Sequence, residues 1–171
     1  AAARLLGPDL ARPLLVLPDA GMPVKRWPAA RWQALSAAAG RPVLTVEAGA
    51  AVLPDARVLP PLRLRGLAAV CAEVGARGGV AVGADTGPVR LASAVGCRAV
   101  GLYGPTLAAR YGLSAPGAAS LQGLPGCPVR RPTAVTEQDC WWTGRCPLST
   151  DGPACMADIP VDAVLAALAA G

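Results

Sequence analysis

Residues Gly79 to Thr106, GVAVGADTGPVRLASAVGCRAVGLYGPT, constrain the fold more than any other part of this chain. They read as strand, tight turn, helix, strand. Val80 to Val82 is a short apolar run between Gly79 and Gly83, as expected of a buried strand. Asp85-Thr86-Gly87-Pro88 carries helix-start chemistry. Asp85 or Thr86 is expected to cap the first turn, and Pro88 suits the first helical position because its missing N–H is not needed there. Val89, Leu91, Ala92 and Val95 then lay an apolar stripe along the helix. Gly96 ends it, and Ala99 to Tyr103 resumes as a strand. The N–H groups around Thr86 and Gly87 would face out of the strand's carboxyl end, where a helix N-terminus favours an anion. Gly87 leaves the backbone open to a phosphate. The same pattern also suits an ordinary β-α-β unit that binds nothing.

The rest of the chain supplies partners for this unit. Leu14 to Leu17 is expected as a first strand, followed by a loop through Lys25 and Trp27. Arg31 to Ala39 reads as a helix with Trp32 and Leu35 inward, Pro42 to Val46 as a second strand, and Arg57 to Leu59 as a short third. Leu64 to Val74 reads as a helix with Leu64, Leu67, Ala68 and Cys71 on its inner face. Residues 107–126 are expected to be mainly loop, with a short strand near Ala119 to Leu121. The helix from Val161 to Ala169, started by Pro160, closes the chain. This alternation predicts an α/β fold: a Rossmann-like open parallel sheet with helices on both faces and ligand at the strands' carboxyl ends. Residues 1–12 read as a linker or the end of a preceding helix, and 13–171 as one domain. That domain includes a cysteine-containing segment at 127–155 and the closing helix at 160–170.

Composition narrows the function classes. At 171 residues and 53% hydrophobic the chain can bury a real core. Phe is absent and aromatics reach only 4%, so that core must be aliphatic. The net charge of +5 comes from scattered Arg residues and one Lys, Lys25, with no dense basic run. Nucleic acid is therefore not an expected partner; a membrane surface and a phosphorylated substrate both remain open as explanations of the charge. No G-x-G-x-x-G follows the first strand, which argues against a dehydrogenase-type dinucleotide site. No apolar run of 18 residues occurs and the N-terminus lacks a signal-peptide layout, so a cytoplasmic location is expected.

The stretch DTGPVRLASAVGCRAVGLYGPT resembles the donor-site signature of family 9 glycosyltransferases, the ADP-heptose:lipopolysaccharide heptosyltransferases. That family reads Asp-Ser/Thr-Gly-Pro-x-His-x-Ala, a small-residue helix, a strand and Gly-Pro-Thr. Every element is present except the His, which is Arg90 here. LPDAGMPVKRWPAARWQAL is similar to the family's second motif, with Lys25 at the position of the Lys that contacts the donor. The family's leading His there is Leu17. Cys146-Pro147 and Cys155-Met156-Ala157-Asp158-Ile159-Pro160 match its C-terminal pattern.

The resemblance implies the C-terminal, donor-binding half of a two-domain GT-B enzyme. That enzyme would transfer a sugar with inversion and without a metal from a nucleotide-sugar donor (ADP-heptose or similar) to a lipopolysaccharide-type or other glycan or lipid-linked acceptor. No cofactor is implied. The N-terminal acceptor domain and its general base would lie outside this chain. Lys25, Asp85, Thr86, Gly87 and Arg90 are the implied donor diphosphate and sugar contacts. Glu47 is a candidate for the donor ribose and Leu62 for the nucleoside's apolar wall. A solvated loop glutamate remains the alternative for Glu47, and a catalytically degenerate or structural relative the alternative for the whole chain.

Cys127, Cys140, Cys146 and Cys155 lack the C-x2-4-C spacing of common zinc sites. Reduced structural thiols, one or two disulfides, and a metal site all stay open for them. Cys71 and Cys97 read as small buried hydrophobes. Trp141-Trp142 is either a packed loop tip or a peripheral membrane anchor.

Overall fold

The computed structural model describes residues 1–170. Its strands are β1 (Leu14–Leu17), β2 (Val43–Thr45), β3 (Arg57–Val58), β4 (Val80–Ala84), β5 (Arg98–Tyr103) and β6 (Ala119–Gln122). Its helices are α1 (Ala2–Leu6), α2 (Ala29–Ala38), α3 (Leu64–Ala76), α4 (Gly87–Ala94), α5 (Ala108–Tyr111), α6 (Asp139–Thr143), α7 (Ala154–Ala157) and α8 (Val161–Ala169). The six strands form one sheet in the order β3-β2-β1-β4-β5-β6, and every adjacent pair is parallel. This is the expected Rossmann-like open sheet. Its order reverses between β1 and β4, and in such sheets ligands bind in the crevice outside the carboxyl ends of the strands at that reversal.

Both faces of the sheet are buried, which is why β1 and β4 read as unbroken apolar runs. Leu14, Val16, Val80, Val82, Val100 and Leu102 face one layer with Trp27, Trp32 and Leu35 from the start of the chain and Met156, Val164 and Leu168 from its end. Leu15, Leu17, Leu44, Ala81 and Ala99 face the other, against Leu6, Val70, Cys71, Val74, Val89 and Ala92 of α1, α3 and α4. The alternation along each strand assigns neighbouring residues to opposite layers. The core is not purely aliphatic as composition led us to expect: Trp27 and Trp32 meet in it edge to face at 4.7 Å between ring centres, and Tyr103 is fully buried.

Several local expectations change. Gly83 lies inside β4, opposite Leu17 of β1, instead of ending the strand. A Cβ there would stand 2.9 Å from the Leu17 carbonyl oxygen, so glycine lets the two strands close up. Leu64 is 71% exposed, and the buried stripe of α3 is Val70, Cys71 and Val74. As the first residue of its helix, Leu64 reaches past the sheet it was expected to cover. α1 packs on α3, with Arg57 and Arg77 donating to the carbonyl oxygens at its end. The expected loop after β5 contains α5. Among the described residues no helix is long and apolar enough to cross a membrane.

Candidate functional site: the carboxyl edge at the β1/β4 reversal

Parallel strands bring their outgoing loops to one edge. Leu62 follows β3, Glu47 follows β2, Lys25 follows β1, and Asp85-Thr86-Gly87 follows β4. The reversal of strand order falls between the last two, where the structure builds a polar cluster.

Asp85 is the centre of that cluster. Its backbone N–H donates to the Leu102 carbonyl at 3.0 Å, carrying the β4–β5 ladder one residue past the strand. Its side chain is nearly buried and accepts four hydrogen bonds. Oδ2 takes the Thr106 hydroxyl at 2.8 Å and the Lys25 ammonium at 3.1 Å. Oδ1 takes Nε of Arg90 at 3.1 Å and also its Nη2. Four bonds use the acceptor capacity of a carboxylate. Burial alone would raise the Asp85 pKa. The Thr106 bond, the Lys25 charge and the bonds from Arg90 and Lys25 outweigh it and hold the carboxyl below its ordinary value. One buried anion thus ties together the loops after β1, β4 and β5 and the first turn of α4.

Lys25 ends a 3-10 turn, Pro23–Lys25, and donates also to the Asp85 carbonyl oxygen at 3.0 Å. Its side chain is 16% exposed. Arg90 spends its Nη2 on the Tyr111 carbonyl as well as on Asp85, and its side chain stays 41% exposed. The bonds to Asp85 favour the charged guanidinium against the cost of partial burial.

The expected cap of α4 is absent. Thr86 occupies the cap position in extended backbone, but no side chain accepts from the first turn. Its hydroxyl donates instead to Ala84 at 3.3 Å, and Asp85 is turned toward its own partners. Pro88 takes the second helical position. The first-turn N–H groups are therefore left for a ligand or water. A Cβ on Gly87 would meet nothing within 4 Å. Chemically, this edge offers an open helix N-terminus beside one ammonium and one guanidinium, whose charge a single carboxylate only partly offsets. Such an arrangement suits an anion with several oxygens.

The structure joins Lys25, Asp85 and Arg90 directly and sets Thr86 and Gly87 between them. Glu47 is exposed on the turn after β2, and Leu62 is half-buried against the α3 layer. Neither is hydrogen-bonded to the Asp85 cluster through its side chain. Sequence reasoning met Thr106 only as the last residue of the Gly-Pro-Thr that follows a strand. Its hydroxyl was legible as a partner for Asp85 only once the parallel pairing of β4 and β5 was known. It also missed Trp141, whose ring centre lies 5.1 Å from the Lys25 ammonium.

The cysteine segment packs beside this edge. Cys127, Cys140, Cys146 and Cys155 are free thiols that line one cavity of about 20 Å³ together with Val24 and Pro105. Among the described residues, no three His, Cys, Asp or Glu side chains are grouped so as to hold a metal ion. Burial, with the neighbouring thiols, pushes Cys155 up to about 12 and raises Cys140. Arg130 is buried and ties the segment to the sheet by donating to the carbonyl oxygens of Gly104, Gly123 and Pro125.

Comparison with known proteins agrees with this geometry. The model for glycosyltransferase family 9 (heptosyltransferase) matches residues 4–124. No curated protein matches the chain at a significant level. Among solved structures it is similar to the E. coli ADP-heptose lipopolysaccharide heptosyltransferase II (18% identity, TM-score 0.67, covering 98% of this chain and 48% of that one). It is similar also to E. coli heptosyltransferase WaaC with ADP (20%, TM-score 0.64, 95% and 46%). The third is WaaC with ADP-2-deoxy-2-fluoro heptose (19%, TM-score 0.61, 95% and 44%). The chain thus spans about half the length of these solved relatives. With more than half of its residues matched by the family model, the chain belongs to glycosyltransferase family 9.

Proposed function

We propose that this chain is the C-terminal, donor-binding half of a heptosyltransferase-like enzyme, and that it holds the diphosphate of an ADP-sugar at the β1/β4 edge. The observation that carries the reading is the uncapped N-terminus of α4, flanked by Lys25 and Arg90, at the reversal of strand order. The solved relative WaaC binds ADP and an ADP-heptose analogue, which favours an adenosine diphosphate donor.

In this reading the first-turn N–H groups and Lys25 stabilise the charge that develops on the leaving diphosphate. Arg90 offers the exposed edge of its guanidinium to the same group. Asp85, with its acceptor capacity already used, holds these donors in place. Glu47 and Leu62 lie farther along the edge, where the nucleoside would extend. An acceptor hydroxyl on a glycan or lipid-linked substrate attacks the anomeric carbon from the opposite face, so the product is inverted. The base that takes its proton belongs to the acceptor-binding half. The cations at this edge do the work a metal does elsewhere, so chelators are expected to leave donor binding unchanged. A cytoplasmic location at the membrane's inner face completes the reading, and free thiols accord with a reducing compartment.

Calorimetric titration with ADP tests it. Lys25→Ala and Gly87→Val should each weaken binding at least tenfold while leaving the fold intact, since a side chain at Gly87 meets open space. Unchanged affinity in both variants would place the donor elsewhere. A degenerate relative would bind ADP yet transfer no sugar when joined to its acceptor half. Arg90 in place of the family's His is the departure that motivates that alternative.

A further inference from the structure

α6 lies over the Lys25 turn and touches it in two places. Trp141 presents its ring to the Lys25 ammonium at 5.1 Å. Gly144, which ends α6 in the left-handed conformation (φ 68°), sits against Pro23, and a Cβ there would come within 3.4 Å of its ring. The helix is itself fixed from behind. The Trp141 N–H donates to the Gln138 carbonyl. The buried Gln138 side chain accepts from the Arg131 N–H and donates to the Val135 carbonyl. The adjacent Trp142 does something different: the residue is 75% exposed, and its indole N–H donates to the Thr136 carbonyl.

We propose that Trp141 is a positioning residue for Lys25, holding the ammonium at the β1/β4 edge in the orientation that meets the donor diphosphate. The inference rests on the donor-binding reading above. Lysine is a point charge on a four-carbon stem with several free torsions. Asp85 alone fixes it from one side, through one carboxylate oxygen and one carbonyl oxygen. The face of an indole attracts a cation through its quadrupole, most strongly when water is partly excluded. With Asp85 on one side and Trp141 on another, the ammonium's remaining N–H is aimed and its freedom is spent before a ligand arrives. Preorganisation of this kind appears as affinity.

A double-mutant cycle read by calorimetric titration with ADP tests the proposal, with folding checked by circular dichroism and thermal melting. Trp141→Leu keeps the apolar bulk and removes the ring, and should weaken ADP binding about tenfold. Trp141→Phe keeps an aromatic face and should recover most of that loss. In a Lys25→Met background, Trp141→Leu should cost nothing further. Trp142→Ala should bind as the unaltered protein does. Trp141→Leu binding with unchanged affinity would overturn the proposal. So would an equal loss with and without Lys25, which would mean that the ring touches the ligand directly. Failure of the unaltered protein to bind ADP would overturn the donor-binding reading itself, and this inference with it.

Discussion

The β4–α4–β5 unit and the cysteine segment meet at the same edge but are held by different forces. The first is a ladder: β4 pairs with β5 along its whole length and with β1 from Val80 to Gly83, and every residue of β4 is buried. The second has two short helices and one 3-10 turn; Arg130 ties it to the sheet by donating to the Gly104 and Gly123 carbonyls, while Gln138 braces it internally against Val135 and Arg131. Regular pairing and apolar burial make the first unit stiff whatever its surface residues are. The cysteine segment depends on a few contacts, and losing one should release much of it. The family model ends at residue 124, close to where the ladder gives way to this second kind of construction.

The sharpest way to break the comparison is at the join. Gly123 follows β6, and a Cβ there would stand 1.8 Å from the Cys155 carbonyl oxygen. Gly123→Val cannot be absorbed by a rotamer change, because the obstacle is backbone. It should destabilise the protein by about 3 kcal/mol or more. The loss should appear as release of the C-terminal segment, with faster hydrogen exchange across residues 127–157 while β1, β4 and β5 stay protected. Uniform loss of protection across the sheet would show that the two regions unfold as one.

Asp85→Asn is the next largest effect, and it acts on the stiff unit. It removes the anion but leaves Lys25 and Arg90 facing each other across a nearly buried site. The expected cost is about 2 kcal/mol at neutral pH, below the range for a fully buried pair because Arg90 is partly exposed. Its pH dependence has a definite sign. The folded carboxyl titrates below its ordinary value, so the folded state favours the ionised form. Its contribution is complete above the unfolded value of about 3.9 and fades as pH falls through that value toward the folded one. Urea denaturation should show the gap between the two proteins narrowing as pH falls from 6 to 3. A gap that widens with acid would mean that the carboxyl is not held in its ionised form.

How much was legible follows the same division. β1 and α8 have the bounds their patterns predict, and the parallel α/β architecture follows from the strand–helix alternation, because both signals are apolar periodicity. α3 was blurred: a chain rich in Ala and Leu offers several plausible stripes, and only packing shows that Leu64 faces water. α6 and α7 left no periodic trace, since helices of five and four residues are too short to show a period; α6 buries no residue, and α7 buries only Cys155 and Met156. Lys25 and Asp85 were singled out separately, but their ion pair spans 60 residues of sequence and emerges only from the strand order. Trp141 and Trp142 look alike in sequence, yet one faces Lys25 and the other faces solvent, a difference set by which side of a single helical turn each occupies.

Arg90→His carries the smallest expected effect and probes the point where the chain departs from its family's pattern. The guanidinium reaches Asp85 through two nitrogens and the Tyr111 carbonyl through one of them. An imidazole at the same place on α4 is shorter and cannot span both partners. Asp85 keeps Lys25 and Thr106, so the cluster survives. Stability should fall by about 1 kcal/mol at neutral pH, in keeping with a partner that is 41% exposed. The Tyr111 contact should suffer most, loosening α5 but not the β4–β5 ladder. ADP affinity should weaken severalfold, because the exposed edge of the guanidinium is replaced by a ring with at most one free donor. Equal affinity in the two proteins would assign Arg90 to holding the Asp85 turn alone and leave the diphosphate to Lys25 and the first turn of α4.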